Sequence, residues 1–278
     1  MKKNLSNILL VLVFLIGLSL LLYPTFADYW NSFTSSRTIA SYTQQIAQID
    51  DDTYDAIWQE ARAYNESLNW RKNPYLLSDG QREQYHSILN IGGSGIMGYV
   101  EIPSIGVDLP IYHGTDDTVL KVAAGHVEWS SLPVGGESSH CVLSGHRGLP
   151  SAKLFTDLDR IRVGDLFMLN VMNEILTYEV DRISIVEPDD AESLVVEEGR
   201  DLCTLVTCTP YGVNSHRLLV TGHRVDNLEE AVEVRVTADA IVIDRLLVAP
   251  FVLMPILLLM LILLMVSTRN KENRRREK

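Results

Sequence analysis

The chain has 278 residues, 46% hydrophobic and 22% charged, with 24 Lys and Arg against 36 Asp and Glu. That is long enough for one or two domains with a sizeable core, and the make-up is neither disordered, collagenous nor disulfide-dense. Positive charge collects at the ends: without Lys2, Lys3 and residues 268–278, 16 basic and 34 acidic residues remain, which argues against nucleic acid as a partner and puts both ends at a cytoplasmic membrane face.

Residues 5–22 (LSNILLVLVFLIGLSLLL) hold no charge and follow Lys2 and Lys3. The run suits a tilted membrane span and also has the form of a signal-peptide core, with Thr25-Phe26-Ala27 a weak cleavage site. Residues 26–30 continue into a helical pattern without a break, so an uncleaved anchor is the preferred reading. In either case the chain beyond Pro24 is exported.

Residues 28–77 read as helical. Tyr42, Ile46 and Ile49, then Tyr54, Ile57, Trp58, Ala61, Tyr64 and Leu68, recur at helical spacing, and Asp50 to Asp52 form a cap between two helices. Asn73-Pro74-Tyr75 and Ser78-Asp79-Gly80 break the pattern. A short helix is expected over 81–89, ended by Gly92-Gly93-Ser94-Gly95.

From Met97 the period changes to two. Strands are expected over 98–103, 107–112, 140–144, 166–172, 175–182 with an extension over 183–186, 202–207 and 217–221, with one more over 231–236. The pair 166–172 and 175–182 forms a hairpin around Asn173-Glu174. Short helices fit 118–124 and 151–159, and the acidic stretch 187–200 reads as a surface loop. About eight short strands at close spacing indicate a small barrel or sandwich. Residues 246–267 (LLVAPFVLMPILLLMLILLMVS) again hold no charge. They suit a transmembrane helix that tolerates Pro250 and Pro255 as kinks.

Three cysteines, Cys141, Cys203 and Cys208, lie in the exported middle, an odd number that leaves at least one thiol free or paired to another molecule. Cys208 ends a strand before Thr209-Pro210-Tyr211-Gly212, where a fixed backbone presents a side chain to a cleft. Arg217 starts the returning strand and is brought back beside Cys208 by the loop 209–215. His146 lies where another strand breaks into a Gly-containing loop. Thiol acyl transfer needs a thiol, an imidazole that titrates near neutral pH, and donors for an oxyanion. The rival zinc set of His126, His140, Cys141 and His146 lacks ligand spacing. His86, His113, His216 and His223 read as surface or core histidines. Cys141 and Cys203 each lie five residues before His146 and Cys208. On parallel neighbouring strands they stand level and face away from the site, as buried core thiols or, alternatively, as a disulfide.

Leu205-Val206-Thr207-Cys208-Thr209-Pro210-Tyr211-Gly212 with Arg217-Leu218-Leu219-Val220 resembles the cysteine and arginine signature of sortases. Residues 143–155 (LSGHRGLPSAKLF) resemble the histidine block of class C, the pilin-polymerising sortases, as do 97–114 (MGYVEIPSIGVDLPIYHG), 131–136 (SLPVGG) and the two-anchor topology. The resemblance implies a mainly β fold, a closed eight-stranded barrel with short helices, an N-terminal helical region and membrane-spanning helices at both ends. It divides the chain into an anchor or signal at 1–27, a helical region at 28–92, a catalytic barrel at 93–240, a C-terminal span at 246–267 and a cytoplasmic tail at 268–278.

The same resemblance implies roles. Cys208 is the nucleophile on the Thr–Gly bond of a Leu-Pro-x-Thr-Gly-like signal, His146 the general acid and base, and Arg217 the substrate and oxyanion stabiliser. It implies no cofactor and no metal. The partners are pilin subunits or surface proteins that bear the signal, together with the lipid bilayer, and the location is the outer face of a Gram-positive-type cell membrane. Many class C enzymes cover the cysteine with an Asp-Pro-aromatic lid. The nearest match here is Asn73-Pro74-Tyr75 within 73–80, which departs from that pattern because Asn73 lacks the carboxylate. A plain turn is the alternative there. Competing functions are anchoring to cell-wall precursor, a cysteine hydrolase, and a non-enzymatic scaffold or receptor.

Overall fold

The computed structural model describes residues 2–68 and 75–227, with side chains from Val11 onward. The expected strand over 231–236, the span 246–267, the basic tail, and Asn73 and Pro74 lie outside the described residues. The described residues divide into two units, one ending at Thr25 and the other beginning at Phe26.

Helix α1 (Lys2–Ile46) runs continuously through Pro24. Among the described residues it is the one helix long and apolar enough to cross a membrane, over Val11–Ile46. It ends where Asp50 takes over: the Asp50 carboxylate accepts from the Thr53 amide at 2.9 Å and caps α2 (Asp51–Leu68). The cap expected between two helices is therefore present. Helix α3 (Asp79–Ser87) starts at a capping box in which Ser78 and Gln81 bond reciprocally.

Both long helices are tied to the β-domain by polar groups. The buried Tyr42 hydroxyl donates to the Met97 carbonyl at 2.8 Å and accepts from the Met172 amide at 2.7 Å. Asn65 of α2 answers both backbone groups of Leu132, donating at 3.1 Å and accepting at 2.7 Å. These bonds satisfy backbone that would otherwise be buried unpaired.

Eight strands follow: β1 (Ile96–Ile102), β2 (Val107–His113), β3 (Ala124–His126), β4 (Ser139–Ser144), β5 (Leu166–Val171), β6 (Glu174–Val186), β7 (Asp201–Thr209) and β8 (His216–Val225). They close into a barrel in the order β1-β2-β3-β4-β7-β8-β6-β5. The β2–β3 and β4–β7 pairs are parallel and the others antiparallel. Inward-facing residues such as Val100, Ile102, Leu143, Phe167, Leu169, Tyr178, Leu205 and Val220 fill the interior.

Four sequence expectations are corrected. The helix expected over 118–124 is only Asp117–Leu120, and an unexpected strand, β3, begins at its last expected residue, Ala124. Three residues are too few for a period of two, and β3 is set instead by its partners, Ile111 opposite Ala124 and Leu143 opposite His126. No α-helix forms over 151–159, which has only a 3-10 turn at Leu158–Arg160. Its backbone is engaged at long range, with the Lys153 amide on the Asp28 carboxylate and the Phe155 amide on the His146 carbonyl. The hairpin turn is Met172-Asn173, because Val171 pairs with Glu174. Strand β7 extends through Thr209, so Cys208 lies inside the strand end.

Candidate functional site

Strand parity divides the side chains of β4, β7 and β8. On β7, Cys203 and Leu205 face the core, whereas Val206 and Cys208 face outward. Outside the barrel, Val142, Val206 and Leu219 form a second apolar cluster with Val127, Val186 and Leu194 packed on it. Cys208 lies two residues beyond Val206 on the same face of β7.

Three strands bring the predicted trio together. Cys208 is partly exposed and lies opposite Arg217 in the β7–β8 register. Ser144 pairs with Val206 across the parallel β4–β7 pair. One residue on, the Gly145 amide donates to the Val206 carbonyl at 3.0 Å, and the Thr207 hydroxyl donates to the Gly145 carbonyl at 2.8 Å. The register therefore delivers His146 to the position beside Cys208. Gly145 has to be glycine, since a Cβ there would stand 2.5 Å from the Phe155 ring. That ring belongs to the residue whose amide holds the His146 carbonyl at 3.1 Å.

The His146 side chain is 32% exposed, and its Nε2 lies 3.9 Å from the Asp117 carboxylate. Asp117 is itself paired with Lys121, whose ammonium, ahead of His146, holds the Asp117 carboxyl below its ordinary range. The Arg217 guanidinium donates to the carbonyls of Asn214 at 3.3 Å and His216 at 3.1 Å, within its own loop. His216 faces away and meets Glu187 at 3.4 Å. A thiol opposite an arginine, with a histidine two residues past the end of the neighbouring strand, supplies the groups that thiol acyl transfer requires.

Several supporting residues had no role assigned from sequence. Arg147, only 8% exposed in its side chain, pairs with Asp159, donates to the Thr209 hydroxyl at 3.5 Å and lies 5.8 Å from the centre of the Tyr211 ring. It joins the segment after His146 to the turn after Cys208. His140 lies on the outer face of β4, two residues before Val142. Its Nδ1 meets the Val195 carbonyl at 2.8 Å, its Nε2 meets the Thr204 hydroxyl at 2.7 Å, and Thr204 continues to Thr221 at 2.8 Å. Burial lowers the His140 pKa, so the neutral ring donates from Nδ1 and accepts at Nε2. In this way β4 holds the loop 187–200 in place. Adjacency to His146 was the sequence signal for Arg147, whereas His140 entered only the rival zinc set.

Beyond His140 a cavity of about 460 Å³ is lined by Tyr75, Trp129, Ser130, Leu194, Val195 and Glu198 among others. Tyr75 meets Trp129 edge-on at 5.1 Å between ring centres. Asn73 and Pro74, the other two residues of the expected lid, lie outside the described residues. Cys141 and Cys203 are level in the β4–β7 register, buried and free, so the core-thiol reading holds and the disulfide alternative does not.

Comparison with known proteins places this arrangement. The family description "Sortase domain" matches residues 100–225. Sortase D of Bacillus subtilis is 33% identical over 131 residues, which cover 46% of this chain and 63% of that protein's length. The crystal structure of sortase C1 from Streptococcus agalactiae is 48% identical, with a TM-score of 0.67, covering 69% of this chain and all of that one. A structure of Clostridium perfringens sortase C with the C-terminal cell wall sorting motif is 42% identical, with a TM-score of 0.61 and the same coverage of both chains.

Proposed function

The chain belongs to the sortase family, and from that premise we propose that it is a class C transpeptidase that joins pilin subunits at the outer face of the membrane. The observation that carries this reading is the β4–β7–β8 register, which sets Cys208 opposite Arg217 and continues to His146. The division into a helical region at 28–92 and a catalytic barrel at 93–240 belongs to the same proposal. So does the topology, with α1 and residues 246–267 as anchors and both termini cytoplasmic.

The reaction runs in two halves. The Cys208 sulfur, as thiolate, attacks the threonine carbonyl carbon of a Leu-Pro-x-Thr-Gly-like signal. Arg217 stabilises the oxyanion of the tetrahedral intermediate. His146 protonates the glycine nitrogen as the C–N bond breaks, leaving a thioester on Cys208. A pilin lysine amine then attacks the thioester and gives its proton to His146. An isopeptide bond forms and the Cys208 thiolate leaves. The 73–80 segment, with Asn73, Pro74 and Tyr75, acts as a cover over Cys208, and altering it raises hydrolysis of soluble peptides.

The test supplies the full-length protein with a pilin that bears the signal and a second pilin domain, and sequences the product by mass spectrometry. An isopeptide bond to one lysine, lost when that lysine is changed to arginine, is the expected result. Transfer to a wall-peptide amine in preference to lysine would establish wall anchoring instead. Release by water alone, with either amine present, would make the protein a hydrolase. Cellular activity that survives Cys208→Ala would establish a non-enzymatic role.

A further inference from the structure

Within the unit that begins at Phe26, α1 has two unlike faces. Ser35, Tyr42 and Ile46 are buried, Ile39 packs on the core, and Asp28 accepts a hydrogen bond from the Lys153 amide at 2.6 Å. At 3.6 residues per turn these five positions share one side. The opposite side carries Phe26, Tyr29, Trp30 and Phe33, all between 44% and 61% exposed. Beyond Phe33 that side turns polar, with Arg37, Ser41 and Gln44 exposed. Arg37 marks the change, its guanidinium lying 5.0 Å from the centre of the Phe33 ring.

We infer that this aromatic stripe seats in the headgroup region of the lipid bilayer and holds the His146 end of the barrel at the membrane surface. Three observations select lipid as the occupant. Tyr, Trp and Phe on one helix side are the side chains that favour the bilayer interface, with an apolar body and, in Tyr and Trp, a polar edge. The stripe begins just past the apolar run 5–22 in the same helix. It ends where a cation appears, as at the aqueous edge of an interface. Asp28 lies at the level of the stripe, and its partner Lys153 belongs to the segment between His146 and Phe155. The loop that carries His146 is thus fixed to the part of α1 proposed to touch lipid. A substrate whose scissile bond lies close to the membrane would meet the site without leaving the surface.

The inference rests on the reading of α1 as a retained anchor, and the experiment separates the two. The full chain is reconstituted in phosphatidylcholine and phosphatidylglycerol vesicles, and its mass and resistance to alkaline extraction are measured first. Tryptophan emission is then recorded with lipids brominated near the headgroup. Trp30 is one of four tryptophans, so quenching of about a quarter of the emission is expected, and it should disappear in Trp30→Phe. A second arm measures acyl-enzyme formation on a sorting-signal peptide, free or coupled to a vesicle lipid. Changing Phe26, Tyr29, Trp30 and Phe33 to serine is expected to lower the coupled-to-free rate ratio by about tenfold, through lost effective concentration. A shortened or extractable chain would remove the anchor reading and this inference with it. A retained chain whose quenching is the same in Trp30→Phe, or whose rate ratio is unchanged in the serine variant, would overturn the inference alone.

Discussion

Two thiols on one strand, Cys203 and Cys208, have opposite surroundings. Cys203 faces the core, is fully buried, and stands level with Cys141 on β4. Burial pushes its thiol well above the ordinary range, which removes thiolate and with it reactivity. Cys208 is five residues on, so strand alternation turns it outward, and it is partly exposed at the strand end, opposite Arg217. The contrast shows that cysteine chemistry in this barrel is decided by parity and by position along the strand. Both thiols are free, and only one lies where a substrate and two polar partners can meet it.

The largest expected effect breaks this comparison at its reactive member. Cys208→Ala should lower transpeptidation by about 10³-fold or more, as loss of a covalent nucleophile does, with the melting temperature nearly unchanged. Cys203→Ala should do the reverse, with turnover kept and stability lower by about 1–2 kcal/mol for the buried atoms removed. Paired kinetics and thermal unfolding of the two variants check both halves.

Next come the partners of Cys208. His146→Ala should cost about 10²–10⁴-fold in kcat/KM, the range for a lost general acid and base, and should flatten the pH–rate profile. Arg217→Lys keeps the charge but loses the planar fork of donors, and should cost about 10²-fold, mostly in kcat.

A smaller effect concerns how His146 is placed. Gly145→Ala drives a methyl into the Phe155 ring and should destabilise the protein by about 1–3 kcal/mol, as overpacking does. Because the same backbone carries His146, activity should fall at temperatures where the protein remains folded. Denaturant melts set against initial rates test this.

The smallest effect sharpens the comparison on the outer face of β4. Burial holds His140 neutral, below its ordinary pKa of about 6.5. Between the folded and unfolded values the unfolded chain binds more protons. Stability therefore falls as pH drops through that window and is indifferent to pH above it. The slope reaches at most about 1.4 kcal/mol per pH unit for one group. His140→Gln should flatten this dependence in melts recorded from pH 7 downward.

What the sequence revealed follows the same division. Alternation along 202–208 and the return at Arg217 were enough to pair Cys208 with Arg217 and to place Cys141 level with Cys203, because both depend only on strand parity. Seven of the expected strands are present among the described residues, and the eighth strand of the barrel, β3, was not expected. Strand β3 has three residues and a glycine, and its partners β2 and β4 define it. The segment 151–159 has helix-like content, yet its backbone is bonded to Asp28 and His146, and no local window contains those partners. Arg147 could be read next to His146, but its burial against Asp159, Thr209 and Tyr211 could not, since those residues come from two later segments.

The most direct test of the account is the identity of the acylated residue. The full-length protein in detergent is mixed with a Leu-Pro-x-Thr-Gly peptide, quenched in acid, and analysed by intact mass and peptide mapping. The account predicts a gain equal to the peptide's acyl part, mapped to Cys208, absent in Cys208→Ala and present in Cys141→Ala and Cys203→Ala. An adduct that persists in Cys208→Ala, or none even after residues 73–80 are altered, would contradict it.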